Sequence, residues 1–191
     1  TYKLIKQLSF LVKSIVIKTV HSQYSQSLDI LICAIQLTTP SFSLKKYREF
    51  VYSDIEVRIL MNIALLENKL GRIHSCQEIL LFSLDHLDEK NIDLRLGIIF
   101  NLSYTFHRKG LHKKALAYAN QGIQLSIKDN NLTILGLLYF RKGIAEYNLK
   151  DDNYLNSLNR ALGLHELAGQ DNLRQNLLKV CERNKIDLNK N

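Results

Sequence analysis

Apolar residues recur along much of this chain at intervals of three and four, the spacing that predicts amphipathic helices. The pattern is clearest over residues 98–125, IIFNLSYTFHRKGLHKKALAYANQGIQL, where two such runs flank Gly110. Because glycine readily adopts the positive φ that ends a helix, Gly110 indicates a turn between two antiparallel helices. Small residues stand where these helices would cross, with large apolar residues around them: Ser103, Ala115 and Ala119 among Ile99, Leu102 and Phe106. Small side chains allow two helix backbones to approach closely.

The same pattern recurs with a long period. Gly71 and Gly110 are separated by the same interval as Cys76 and Ala115, and Ser157 follows Ala115 at a similar one. Small residues that recur every ~40 residues, separated by helical apolar spacing, are typical of stacked helical hairpins such as tetratricopeptide repeats. We therefore predict an all-α chain of about nine helices, in a right-handed superhelix of stacked helical hairpins. An irregular helical bundle is the alternative.

No Ser/Gly-rich linker or low-complexity segment interrupts the 191 residues, and one proline with eight glycines leaves few helix breaks. The sequence therefore predicts a single tetratricopeptide-like domain. Its predicted parts are a linker or degenerate first hairpin at 1–53, three repeats at 54–170, and a capping helix with a tail at 171–191. In the first part, one helical face collects the apolar residues Leu4, Leu8, Leu11 and Ile15.

The net charge of +8 comes from scattered basic residues, so a solvated surface explains it better than a nucleic-acid contact. Cys33, Cys76 and Cys181 lie far apart in apolar helical contexts, without the spacing of zinc or redox sites. They are predicted to be buried thiols of a reducing compartment, which indicates a cytoplasmic protein. No segment is long and apolar enough to span a bilayer, so no membrane contact is expected.

The sequence contains no recognisable catalytic motif: no phosphate-binding glycine loop, no H-E-x-x-H, no G-x-S-x-G and no C-x-x-C. The histidines, His165 among them, lack partners and are predicted to lie on the surface. His107 and His112 flank a turn without needing to face each other, and solvation accounts for Glu146 beside the next turn. We therefore predict that the protein is not an enzyme, and we expect no catalytic residue, metal site or cofactor.

Stacked hairpins present the first helix of each pair to a concave groove that can bind an extended peptide. Asn62 and Asn101 are separated by the interval that separates Gly71 and Gly110, in phase with the repeat, and Arg141 takes the comparable place in the third repeat. Asparagine amides both donate to and accept from a peptide backbone, and arginine can hold a carboxylate in a bidentate pair. Arg58, one turn before Asn62, is also predicted to be peptide-binding. Apolar subsites are expected nearby from three aromatic residues: Phe100, Tyr104 and Tyr139.

The alternative for the two asparagines is structural. In that interpretation their amides bond neighbouring helices and only stabilise the stack.

Two long stretches carry a family resemblance: FVYSDIEVRILMNIALLENKLGRI at 50–73 and LLYFRKGIAEYNLKDDNYLNSLNRAL at 137–162, with VCERNKIDL near the end. Over roughly 44–188 the chain resembles the regulatory domain of the Rgg/PlcR/MutR-type transcription regulators of Gram-positive bacteria, which respond to peptide pheromones. The resemblance implies a helix-turn-helix DNA-binding domain followed by a tetratricopeptide-like domain that dimerises and binds a short linear peptide.

No helix-turn-helix is recognisable in this chain, so we predict a regulatory domain separated from its DNA-binding half. Its predicted partners are a short linear peptide in the concave groove, a second copy of the chain, and DNA only through the missing N-terminal domain. The predicted function is peptide binding and dimerisation within a quorum-sensing-type transcriptional regulator. A tetratricopeptide-like protein–protein interaction scaffold with no DNA-binding half is the alternative.

Overall fold

The computed structural model describes residues 2–188; Thr1 and the last three residues of the predicted tail, 189–191, lie outside that range. Over the described range the chain has no β-strand and forms a short 3-10 helix at Tyr47–Glu49 and nine α-helices. These are α1 Tyr2–Val20, α2 Tyr24–Gln36, α3 Asp54–Lys69, α4 Ile73–His86, α5 Ile92–Arg108, α6 His112–Lys128, α7 Leu132–Leu149, α8 Tyr154–Leu167 and α9 Asp171–Arg183. The predicted all-α class with about nine helices is confirmed.

The helices form two compact units, Thr1–Ile98 and Ile99–Asn191, and the boundary between them falls inside α5. In the first unit, consecutive helices pack on each other from α1 to α4, and α1 also contacts α3. In the second unit, the same holds from α6 to α9. The predicted division into a first hairpin, three repeats and a capping segment stays a prediction.

Six helices of the described chain end with the same backbone motif, in which a residue at positive φ follows the last turn. Gly71 and Gly110 hold this position after α3 and α5, as predicted, and Lys150 holds it after α7 with φ of 60°. The others are Asn130, Gly169 and Lys185. In all six, the next backbone N–H bonds the carbonyl five residues before it, at 2.8–3.0 Å. The repeat period therefore continues to Lys150, which follows Gly110 at nearly the interval from Gly71 to Gly110, although no glycine marks it.

The α5–α6 crossing in the second unit is built as its small residues predict. Ala115 and Ala119 are fully buried, and Ser103 Oγ donates a hydrogen bond of 2.9 Å to the Ala115 carbonyl. Beside the crossing, the Phe106 ring stacks on Tyr118 with centroids 5.4 Å apart. The hydroxyl is satisfied by the facing backbone, so a polar residue is buried there without an unpaired group.

Glycines allow the close approach at the next two crossings. A Cβ on Gly122 of α6 would lie 2.7 Å from Leu138 of α7, and one on Gly143 of α7 would lie 2.7 Å from Leu158 of α8. Both distances are shorter than van der Waals contact, so a side chain at either position would require the facing leucine to move.

Helix α1 packs through a different face from the apolar one seen in the sequence. Its buried residues are Gln7, Leu11 and Ser14, whereas Leu4, Leu8 and Ile15 are exposed. The reason is a polar, close crossing with α2. Ser14 Oγ lies 2.6 Å from Ser27 Oγ, and Ser27 Oγ is 2.9 Å from the Ser14 carbonyl.

Three further expectations are wrong. Cys33 is exposed, although Cys76 and Cys181 are buried as expected. His165 is fully buried against Gly136 of α7, with its Nδ1 2.8 Å from Gln170 Oε1. Glu146 is also buried, and it forms an ion pair with Lys142, which lies one turn earlier on α7 and also bonds the Ser157 hydroxyl.

Glu56, at the start of α3, ties together the three helices of the first unit that precede α4. One carboxylate oxygen accepts from the Thr38 hydroxyl, and the other accepts from Ser53 N–H at 2.8 Å and Ser53 Oγ at 2.7 Å. Gln7 of α1 in turn donates to Thr38 Oγ1 at 3.0 Å and to the Ala34 carbonyl of α2 at 3.2 Å. Burial alone would raise the pKa of Glu56, but the hydrogen bonds outweigh it and lower the pKa below its ordinary value.

We expect Glu56→Gln to destabilise the folded chain at pH 7 by about 1–3 kcal/mol. The glutamine amide would turn an N–H donor toward the Thr38 hydroxyl or toward Ser53, which themselves donate to this side chain. The ordinary pKa is 4.5 and the folded value is lower, so ionised Glu56 stabilises the fold above about pH 4.5. That contribution is lost as the pH falls through the folded pKa. Urea unfolding at pH 7 and at pH 3 measures both effects.

The matched control is Glu49→Gln, since Glu49 is exposed on the 3-10 helix of the same unit. It should leave the free energy of unfolding nearly unchanged at both pH values. Equal effects of the two substitutions at pH 7, or a Glu56→Gln effect that persists undiminished at pH 3, would contradict the role assigned to Glu56.

Candidate functional site

The five predicted peptide-binding residues divide between the two units. Arg58 and Asn62 lie on α3 in the first unit, whereas Asn101 and Tyr104 lie on α5, and Arg141 on α7, in the second. Each group is described by itself.

In the first unit, Asn62 is half-buried and Arg58 is exposed. Asn62 Nδ2 donates 2.9 Å to the backbone carbonyl of Arg58, one turn earlier in the same helix. This is its one hydrogen bond among the described residues, and it lies within α3. The structural interpretation of Asn62 requires a hydrogen bond to a neighbouring helix, and among the described residues Asn62 makes no such bond.

In the second unit, the structure brings Tyr104 and Arg141 together. The Arg141 guanidinium carbon lies 4.5 Å from the centroid of the Tyr104 ring and 4.9 Å from that of Phe100. The two aromatic residues are one turn apart on α5, so their rings form one aromatic surface for the guanidinium. Arg108 approaches the Tyr104 ring as well, at 6.0 Å. Asn101, half-buried, is on the same stretch of α5.

The charge of Arg141 has no counterion in the described chain. Its Nε is buried without a hydrogen-bond acceptor, and no described carboxylate lies within 4 Å of the guanidinium. Burial lowers the pKa of Arg141 to about 10, and Tyr104 opposes that shift. At neutral pH the group is still charged, so contact with two ring faces takes the place of an ion pair. Arg141 as a whole is half-buried, and a partly desolvated cation without a carboxylate partner is an unusual arrangement.

The adjacent residue shows the usual arrangement. Lys142 follows Arg141 on α7, and its ammonium pairs with the buried carboxylate of Glu146 and bonds Ser157 Oγ at 3.0 Å. Of these two consecutive cations on α7, Arg141 therefore has no carboxylate partner among the described residues, whereas Lys142 is neutralised by Glu146.

His107 lies one turn after Tyr104 on α5, and its ring faces His112 across the turn, which the sequence did not require. Their Nδ1 atoms are 3.1 Å apart. Burial, followed by the charges of His112 and Arg141, lowers the pKa of His107 to about 4. His107 is therefore neutral at physiological pH and adds no positive charge beside Arg141.

Tyr139, expected to form an apolar subsite, contacts α8 instead. Its hydroxyl lies 3.3 Å from Nη1 of Arg160, whose guanidinium is 5.7 Å from the Tyr139 ring centroid. The ring also packs on the core formed by α7, α8 and α9. Of the three aromatic residues, Phe100 and Tyr104 are the two that surround Arg141.

Within the described residues, no helix has both the length and the apolar character needed to cross a membrane. The same residues contain no group of three or more side chains that could hold a metal ion.

Comparison with known proteins identifies the family of this chain and a structure of similar fold. The model of the RNPP family C-terminal domain matches residues 22–183. The crystal structure of Bacillus thuringiensis PlcR in complex with the peptide PapR7 and DNA is similar with a TM-score of 0.61 and 12% sequence identity. The similarity covers 90% of this chain and 74% of the PlcR chain, and at this identity it is a likeness of fold. No curated protein sequence matches the chain.

We expect Arg141→Met to leave the free energy of unfolding unchanged or to raise it when no ligand is present. Methionine keeps apolar contact with the two rings and removes a partly desolvated charge that no described carboxylate compensates, which offsets the lost cation–π contact. Thermal unfolding measures the effect.

Lys142→Met is the matched control. It leaves the Glu146 carboxylate buried and unpaired, and it should destabilise the chain by about 3 kcal/mol. If Arg141→Met were as damaging as Lys142→Met, Arg141 would be a structural residue.

Proposed function

Because this chain belongs to the RNPP family through its C-terminal domain, we propose that it is the regulatory domain of a transcription regulator that binds a short linear peptide. The PlcR structure of the same fold was solved with a peptide and with DNA, which supports both parts of this proposal. In the proposed protein, DNA is bound through a separate N-terminal domain, and two copies of the chain act together in the cytoplasm. The role is binding and not catalysis, and it requires neither metal nor cofactor.

The observation that carries the proposal is the uncompensated guanidinium of Arg141 between Phe100 and Tyr104. A peptide carboxylate would supply the missing counterion in a partly desolvated site, where a charge-assisted hydrogen bond is strong. The rings give apolar surface to the neighbouring peptide side chain. We therefore propose that the peptide places an acidic group, either a side chain or its C-terminus, against Arg141.

The two asparagines are proposed to hold the peptide backbone. Asn62 keeps its carbonyl oxygen and one amide hydrogen outside the bond to Arg58, so it can still accept from and donate to a peptide. Asn101 is half-buried on α5, the helix that also presents Phe100 and Tyr104. Asn62 and Asn101 are separated in sequence by the interval between Gly71 and Gly110, and this shared period is the reason both are proposed.

Peptide binding regulates such a domain only if two conformations of the chain bind the peptide with different affinities. The proposed difference would be transmitted to the DNA-binding domains through the pair of chains.

The test uses a peptide found by screening secreted peptides of the source organism, with binding followed by calorimetry. We expect Asn62→Ala and Asn101→Ala each to weaken binding by about 1–3 kcal/mol, tenfold or more, because a bound peptide would keep unpaired backbone groups. Melting temperatures should change little. A lowered melting temperature with unchanged affinity in the folded fraction would instead favour the structural interpretation.

Asn148→Ala is the matched control for this series. Asn148 makes the same kind of intrahelical bond, from Nδ2 to the Ile144 carbonyl at 2.8 Å, but it is not among the predicted peptide-binding residues. It should leave peptide affinity unchanged.

Arg141→Met should remove the preference for the peptide with its acidic group free over the same peptide in which that group, side chain or C-terminus, is converted to an amide. If wild-type protein binds both forms equally, Arg141 does not hold an acidic group.

A further inference from the structure

The turn between α5 and α6 holds two histidine rings close together. His107 lies in the last turn of α5 and His112 is the first residue of α6, and both are half-buried. Two backbone hydrogen bonds close the turn, from Gly110 N–H to the His107 carbonyl at 2.9 Å and from Leu111 N–H to the Phe106 carbonyl at 3.0 Å. The turn therefore fixes the backbone positions from which both rings extend.

The short contact between the two rings has two chemical interpretations. Their Nδ1 atoms are 3.1 Å apart, which allows a hydrogen bond if one Nδ1 carries the hydrogen. If both rings instead carry the hydrogen on Nε2, two nitrogen lone pairs are directed into the same space, and both can bind a cation placed there. The relative position of the two rings distinguishes these interpretations.

The distances between the rings agree with a shared metal ion. Metal–nitrogen bonds of about 2.0–2.1 Å to two nitrogens 3.1 Å apart would meet at an angle of about 95–102°. That angle lies between the roughly 90° of square-planar coordination and the roughly 109° of tetrahedral coordination. The same bonds would place the ring centroids about 4.8–4.9 Å apart, and the observed distance is 4.9 Å. Two rings with their nitrogens aimed straight at each other across a hydrogen bond would have centroids about 5.4 Å apart.

We propose that His107 and His112 bind a divalent transition-metal ion of the copper, nickel and zinc group through their Nδ1 atoms. Imidazole nitrogen is a preferred ligand of these ions, whereas magnesium and calcium prefer oxygen. Two protein ligands are fewer than the four of a structural zinc site, so the remaining coordination positions are open to water or to a ligand. The proposed ion is therefore exchangeable, and the fold does not depend on it.

The charges around the turn determine what completes the coordination. Four exposed cations flank the two histidines in sequence, and none of them pairs with a described carboxylate: Arg108, Lys109, Lys113 and Lys114. Because these side chains are exposed, solvent and salt screen their repulsion of the ion. The same charges favour an anionic group over a neutral one at the open coordination positions.

Arg141 connects this site with the one proposed to bind a peptide. Its charge acts on His107, which lies one turn after Tyr104 on α5. A dication bound at the turn would add positive charge beside Arg141 and tighten the binding of an acidic peptide. That consequence rests on the proposed function, whereas binding of the ion by the two histidines does not.

The test uses the untagged full chain with Cys33→Ser, which removes the exposed thiol as a competing ligand. Calorimetric titration of this parent chain with Ni²⁺ should show one bound ion per chain. His107→Ala and His112→Ala should each weaken binding roughly tenfold or more, since losing even an outer partner of a metal ligand has an effect of that size. Mg²⁺ should not bind at the same concentrations, because it prefers oxygen ligands.

His74→Ala is the matched control. His74 is exposed, and its Nε2 lies 3.9 Å from Glu78 Oε1 one turn later on α4, so this pair is a competing place for Ni²⁺. The substitution should leave the Ni²⁺ affinity unchanged. Binding that is lost in His74→Ala and kept in both His107→Ala and His112→Ala would overturn the proposal.

Electron paramagnetic resonance of bound Cu²⁺ identifies the ligands directly. The spectrum should show coupling to two imidazole nitrogens in the parent chain and to one after either turn histidine is replaced. Because the parent chain alone gives the count of two, this measurement does not depend on whether a variant folds. No binding at about 1 mM Ni²⁺, or a Cu²⁺ spectrum of the parent chain without coupling to two imidazoles, would overturn the proposal. Peptide affinities are measured without metal, so failure of one proposal leaves the other standing.

Discussion

Close approach of paired helices is the constraint on which both compact units depend. At the α1–α2, α5–α6, α6–α7 and α7–α8 crossings a serine, alanine or glycine lets the helices approach, and the hydrogen bond or apolar contact made there requires that short distance. Ser103 reaches the Ala115 carbonyl, Gly122 admits Leu138, and Gly143 admits Leu158. Because packed interiors leave little room for added atoms, a larger residue at Gly122 or Gly143 would require the facing leucine to move. The same constraint accounts for the long repeat period, since each new hairpin needs a small residue at the same place.

This constraint explains which structural features could be predicted from the sequence. The small residues allow helices to approach closely, and Gly71 and Gly110 end helices at positive φ. The tetratricopeptide-like all-α fold that these residues predict is confirmed. The resemblance to peptide-responsive regulators, which depends on two longer stretches, is confirmed as RNPP family membership. The orientation of α1 could not be predicted in the same way. An apolar stripe indicates only that something covers it, and α1 turns its serine and glutamine face toward the chain because those polar groups find partners there.

The candidate site shows the same division between pattern and environment. Arg141 and Tyr104 were both assigned to the predicted peptide site, and the structure places the two side chains in contact, while peptide binding by them stays a prediction. Helical spacing pairs Lys142 with Glu146, one turn later on the same face, but it could not predict that Arg141 would meet two aromatic rings and no described carboxylate. The buried positions of His165 and Glu146 also escaped prediction, because elements distant in sequence bury them. Gly136 of α7 lies against His165, and Lys142, which pairs with Glu146, also bonds Ser157 of α8. An unpaired buried charge reduces stability, and proteins commonly retain such groups where binding needs them.

Packing between consecutive helices, described above for each unit, also has a consequence during synthesis. A helix that packs on its predecessor can find its partner soon after it leaves the ribosome, because little intervening chain has to be ordered. The α1–α2 hairpin can therefore form while α5 is still being translated. Its final hydrogen bonds depend on a residue that emerges later, since Thr38, which accepts from Gln7 of α1, donates to Glu56 at the start of α3. Until Glu56 has been translated, the first hairpin can assemble but lacks the carboxylate that holds it in register.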